Sequence, residues 1–213
     1  MASEIDICNL ALAHLGDTAT IASLSPPEGS AQAEHCARFY PVARDSLLEM
    51  HSWGFATKRV QLALLTSGWP EWTYAYAQPA DALNVIAILP PESTDDYSTG
   101  VPDSAGGSYV PQPFSCEIND SGAPVIYTDQ DDAVLRYSAT VTDPTRFSPL
   151  FVMALSWHLA SMLAGPIIKG DAGAAEAKRC AGMMQAYLSK AVESDSSQRR
   201  VRPEHVVGWM AGR

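Results

Sequence analysis

The chain has 213 residues, 46% of them hydrophobic and 18% charged, which excludes a disordered or low-complexity protein and allows one large domain or two small ones. Its net charge is −10, and because the last fifteen residues hold four Arg and one Glu, a charge of +3, the preceding 198 carry −13. An acidic body excludes wrapping DNA through its phosphates and suits a surface that DNA slides past without sticking.

In chain order, Ser3 with Asp6 three residues on reads as a capping box for a first helix, with Ile5, Cys8, Leu12 and Leu15 on one face and Gly16 as its stop. A Pro/Gly loop, Ser25-Pro26-Pro27-Glu28-Gly29-Ser30, leads to a second helix over 31–52. There Cys36, Tyr40, Ala43, Leu47 and Met50 repeat as a packed seam, and Pro41 is expected to kink it. After Trp53-Gly54 the period changes to two. Val60, Leu62 and Leu64 predict a strand with one buried face, and Trp72, Tyr74 and Tyr76 predict a second. Pro79 to Leu83 reads as one helical turn, and Val85 to Leu89 as a short strand.

Residues 90–113, rich in Pro, Gly and Ser, read as a long surface loop. Strands at Phe114–Ile118, Val125–Thr128 and Ala133–Val141 follow as a β-meander, with Leu135, Tyr137, Ala139 and Val141 facing one way. Ser148-Pro149 marks the N-cap and first turn of a helix to Ala164, apolar on nearly all sides and stopped by Gly165-Pro166. The uncharged run 147–168 around it predicts a buried core helix in preference to a membrane span. A last helix over 172–192 has a seam of Ala177, Ala181, Met184, Leu188 and Ala191, with Gly182 admitting a close neighbour.

The fold class expected is therefore α+β: a bundle of about four helices, two N-terminal and two C-terminal, with a small, mainly antiparallel sheet inserted between them. Residues 1–192 are expected to form one domain, with helices in 3–52 and 148–192 and the β region at 55–141. Residues 193–213 are expected to form an extended, partner-binding C-terminal tail.

Chemistry-bearing patterns are sparse. The sequence contains no GxSxG, P-loop, HExxH or dinucleotide glycine fingerprint. Cys8, Cys36, Cys116 and Cys180 are too far apart for a CxxC zinc site and read as thiols of a reducing compartment. Glu4 and Asp6 interrupt the start, so a signal peptide is not expected. Asp129, Asp131 and Asp132 lack the glycine and distal Glu of a calcium loop and read as a solvated turn. Trp72, Tyr74 and Tyr76 could stack on bases, but without a basic groove they favour a core or subunit interface. No catalytic residue, cofactor or metal is expected. The enzymatic alternative is a small hydrolase using His158 or His51 with a nearby carboxylate.

The order of landmarks resembles a family. DICNLALAHLGD, a Pro/Gly loop, and a helix ending in LLEMHSWGFATKRVQLALL are similar to the start of head-to-tail connector (adaptor) proteins of tailed bacteriophages, the group of tail tubular protein A. YAYAQPADALNVIAI resembles the segment after that family's first strand. GAPVIYTDQDDAVLRYSATVTDPTRFSPLFVMALSWHLASMLAGPI resembles its closing hairpin and central helix. The resemblance spans roughly residues 4–192. It implies a structural virion protein without catalytic residues, assembled in the host bacterial cytoplasm. The implied assembly is a homo-oligomeric ring, usually of twelve subunits, between the portal and the tail or nozzle protein. DNA would pass through its channel without specific binding, and no membrane is involved. Another neck or tail-completion protein is the neighbouring alternative.

The basic tail then acquires a role. In that family the C-terminal segment commonly docks into the portal. Here Arg199, Arg200 and Arg202 would meet acidic portal surface, while Val206, Val207, Trp209 and Met210 fill an apolar groove.

Overall fold

The computed structural model describes residues 2–66, 69–91 and 112–198. They form an α+β protein with four α-helices and two small antiparallel sheets. Two compact units emerge, Met1–Ala56 with Thr140–Gln198, and Thr57–Ala139. The expected helical segments fall in the first and the expected β region in the second.

In the helical unit, α1 (Glu4–His14) starts at Ser3 through a complete capping box: Asp6 N–H donates to Ser3 Oγ at 3.1 Å, and Ser3 N–H to the Asp6 carboxylate at 2.8 Å. Its helical conformation ends at Leu15, and Gly16 takes the positive φ of +74° that a side chain would resist. Helix α2 (Ala31–Glu49) begins at Ser30 and contains Pro41. Cys36, Tyr40, Ala43 and Leu47 are buried as the seam requires. Met50 is 52% exposed, because the helix ends one residue before it and the seam loses its last position. Pro41 is exposed, so the carbonyl its ring leaves without a donor can turn to water.

Helix α3 (Pro149–Ile168) starts at Ser148-Pro149 as expected, with Phe151 N–H donating to Ser148 Oγ. It does not stop at Ala164. Pro166 lies in the last turn, where one missing donor leaves the final residues free to stay helical, and the helix runs on to Ile168. A single residue, Lys169 at φ +62°, joins it to α4 (Gly170–Ser197). At 28 residues, α4 begins earlier than expected and continues past Glu193 into the segment assigned to the tail.

Helix α3 packs against α1, α2 and α4, with nine of its residues buried. Among the described residues it is the one helix long and apolar enough to cross a membrane. Close approach of α4 is set at Gly173, where an added Cβ would lie 3.0 Å from the Ala164 carbonyl oxygen. Gly182, expected to serve that purpose, meets nothing within 4 Å. Burial on α4 centres on Gly173, Cys180 and Ala191, so the seam is turned slightly from the one read in the sequence.

The β unit differs more from expectation. The run Val60-Leu62-Leu64 is not one strand. It is β1 (Thr57–Gln61) in one sheet and β2 (Ala63–Leu65) in another, and the chain changes sheets at Leu62. Only Leu62 enters the core; Val60 and Leu64 are 38% and 62% exposed. The remaining strands are β3 (Tyr74–Ala77), β4 (Ala82–Leu89), β5 (Phe114–Ile118), β6 (Pro124–Thr128) and β7 (Val134–Ala139). The sheets have the orders β1-β7-β4 and β2-β3-β6-β5. The expected meander is therefore only a β5–β6 hairpin, because β7 crosses into the other sheet. Pro79 to Leu83 forms a turn that enters β4 directly at Ala82, not a helical turn.

Both sheets contribute to one apolar core of Leu62, Tyr76, Ile88, Ile126, Ala133, Leu135, Tyr137 and Ala139. Tyr76 and Tyr74 pack there, but Trp72 lies outside β3 and packs instead against Ala75, Val125 and Tyr127. The three aromatics therefore do not share one face. The 90–113 loop lies outside the described residues over 92–111.

The two glycines of α4 should respond oppositely in urea unfolding. Gly182→Ala gains helix propensity in open space and should stabilise by about 0.5–1 kcal/mol. Gly173→Val forces a side chain against the α3 backbone and should destabilise by about 1–3 kcal/mol. Shifts of the same sign would refute this packing of α3 on α4.

Candidate functional site

The seven tail residues proposed from the sequence to bind the portal, Arg199, Arg200, Arg202, Val206, Val207, Trp209 and Met210, lie outside the described residues. Two places remain where the described residues gather polar chemistry or present unusual surface. These are the histidine contacts of the helical unit and the outer strands of the β unit.

His158 projects from α3 to the Ser46 hydroxyl of α2, with Nε2 and Oγ 3.0 Å apart. Ser46 also donates to the Ala43 carbonyl at 3.0 Å. A hydroxyl has one proton, so in this arrangement His158 is the donor, through Nε2–H. Its Nδ1 is buried without a hydrogen-bond partner, so no carboxylate orients the ring as a catalytic base would require. Burial holds the His158 pKa below the usual histidine value.

His14 repeats the pattern. Its Nε2 lies 3.1 Å from Ser156 Oγ, and Ser156 donates to the Met153 carbonyl. The His14 ring stacks on Trp157 at 3.6 Å between centroids, with the Arg179 guanidinium over the same indole. Burial first, and Arg179 second, lowers the His14 pKa.

His51 does meet a carboxylate. Its Nε2 is 3.3 Å from Asp195 Oδ2, and Asp195 also accepts from the Gly54 backbone N–H at 3.0 and 3.1 Å. These bonds tie the last turns of α4 to the segment after α2. Beside them Trp53 donates from its indole to the Leu47 carbonyl and packs edge-on against Phe151. This clamp explains why α4 stays helical to Ser197, within the segment assigned from the sequence to the extended tail. Asp195 was missed in the sequence because a Ser-rich context hides a residue whose partners are 141 and 144 positions away.

The acidic turn is engaged within the β unit. Asp129 accepts from both the backbone and the hydroxyl of Thr73 at 2.9 Å, which lowers its pKa. Asp81 receives Lys58 at 2.6 Å and the Tyr137 hydroxyl at 3.0 Å, and the lysine is the larger cause of its lowered pKa.

The outer strands carry the features that pattern reading missed. Leu64, Leu65 and Ile118 are 62%, 40% and 74% exposed. Alternation marks such residues as core, and only the sheet order reveals β2 and β5 as edges. The sequence matches no protein-family model and no curated protein.

Burial of neutral His14 and His158 has a pH consequence. Below about 6.5 the unfolded chain takes up protons that the folded rings refuse, so stability falls as pH drops through that value. Chemical unfolding at stepped pH should show this decline, and a His14→Gln/His158→Gln variant should flatten it. Asp195→Ala should cost about 0.5–1.5 kcal/mol in the same assay, since water can replace the carboxylate only in part as acceptor for the exposed Gly54 N–H.

Proposed function

We propose that this protein is a structural component of a bacteriophage virion, a head-to-tail connector that joins portal to tail and continues the DNA channel. The observation that carries this reading is the order of landmarks along residues 4–192. Two helices, a strand-rich insertion and two further helices follow one another as in the family the sequence resembles. The α+β architecture, with helices from both ends of the chain around α3, accommodates that order. In this reading the four helices act as a bundle bearing the β insertion, the 90–113 segment is a surface loop, and the tail beyond α4 binds the portal.

The charge distribution supports the same reading. A body of −13 repels phosphate, which suits a passage through which DNA must move, and the +3 terminus suits an acidic protein partner. His14, His51 and His158 also fit a structural role. His158 and His14 hold helices together through serine hydroxyls, and His51 joins a helix clamp.

The test is electron cryomicroscopy of the full chain mixed with its portal ring. A ring stacked on the portal is expected, and removal of residues 199–213 should abolish binding while leaving a cooperative melt. Unchanged binding by the truncated chain would remove the tail from the interface. Failure of the intact chain to join the portal would overturn the connector reading. A hydrolytic activity abolished by His158→Ala or His51→Ala, with the fold intact, would favour the enzymatic alternative.

A further inference from the structure

The sheet β2-β3-β6-β5 has two open edges among the described residues, and their side chains match. Leu64 of β2 stands opposite Tyr76, Tyr76 opposite Ile126, and Ile126 opposite Cys116 of β5. Residues directly opposite share a face, so this row crosses the whole sheet on one side. Its two inner members are core residues, while Leu64 and Cys116 end it in solvent. Phe114 and Ile118, two positions either side of Cys116, lie on the same face. One edge thus presents Leu64, and the other presents Phe114, Cys116 and Ile118, on the face that forms the core. The opposite face carries Ala63 and Leu65 at one edge and Ser115 and Glu117 at the other.

We propose that β2 of one copy pairs antiparallel with β5 of a second copy, so that the sheet and its apolar row continue from subunit to subunit. The strand directions fit this without rearrangement. All three pairings within the sheet are antiparallel, so β2 and β5 run in opposite directions. A copy stepped sideways therefore brings its β5 beside β2 with the antiparallel alternation unbroken. Every copy carries both halves of the contact, and both exposed apolar ends become covered. Pairing of like edges does less: β2 with β2 leaves Ile118 in water, and β5 with β5 leaves Leu64 there. A contact between unlike edges repeats head to tail, which gives a closed ring or a filament. For its biological setting the inference rests on the connector reading, and it names how the copies join.

The test uses the full chain. Leu64→Cys places a thiol at the end of the row where the neighbour brings native Cys116, while Cys8, Cys36 and Cys180 are buried. Mild oxidation should produce a ladder of disulfide-linked oligomers on non-reducing gels. The ladder should be absent from wild type and from Leu64→Cys/Cys116→Ser. Leu64→Cys/Cys116→Ser/Ile118→Cys captures the pairing if its register is shifted by two residues. Independently, Leu64→Lys/Ile118→Lys should raise the concentration for half-association in sedimentation velocity by about tenfold or more, since edge lysines block strand addition.

Folded variants that yield no link in either register overturn the proposal, as does a link that forms without a thiol on β5. Oligomers that sediment as rings but never link overturn the edge pairing alone and leave the connector reading standing. A chain that neither self-associates nor joins its portal overturns both.

Discussion

The helical unit depends on the need to keep α3 away from water. That helix has only one strongly polar ring, His158, among long apolar runs, so no single face can be left open without cost. Helices α1 and α2 reach it from the start of the chain and α4 from the end. The serine hydroxyls of α3 and one nitrogen of His158 find partners, while His158 Nδ1 and Trp157 Nε1 stay buried without one. Ser156 and Ser161 donate to carbonyls of their own helix, and His158 and His14 bond to serine hydroxyls across the helix boundaries. The aromatic cluster of Trp53, Phe55, Phe147 and Phe151 closes one end, with the Asp195 clamp beside it.

The β unit meets a different constraint. Strands this short cannot bury both faces of one sheet, so two small sheets share their inner faces in a common core. Changing sheets at Leu62 costs the chain its regular alternation there. The residue between β1 and β2 carries the burial, while its apolar neighbours at positions 60 and 64 stay in solvent. Sharing a core also leaves both sheets with outer strands, which is where the exposed leucines and Ile118 lie.

Local rules read the helices well. Ser3 and Ser148 cap the two helices they were expected to cap, and Gly16 stops α1 as expected, in a left-handed turn. Those signals act within four residues, so a sequence displays them. Sheet membership is not local: nothing in KRVQLALL tells that Gln61 and Ala63 pair with strands 73 and 14 positions away. The same limit hid Asp195, whose partners lie beyond any window, and misplaced the close α3–α4 approach at Gly182. Gly173 and Gly182 look alike in sequence, and only the position of the Ala164 carbonyl separates them. Of the candidate sites, the tail was legible as composition alone, whereas the strand edges became legible only with the sheet order.

The helical unit is discontinuous, with residues 57–139 inserted between its two parts. On a ribosome this imposes a schedule. Helices α1 and α2 emerge with their apolar seams facing nothing, while α3 and α4 are still to be made. At roughly 5–20 residues per second, the 57–139 segment is complete several seconds before the chain that closes the helical unit. The β unit, whose strands are contiguous in the chain, can gather its core first. Cys36, Tyr40 and Leu47 must wait, and for that interval their exposure is a hazard of misassociation that a contiguous four-helix arrangement would shorten.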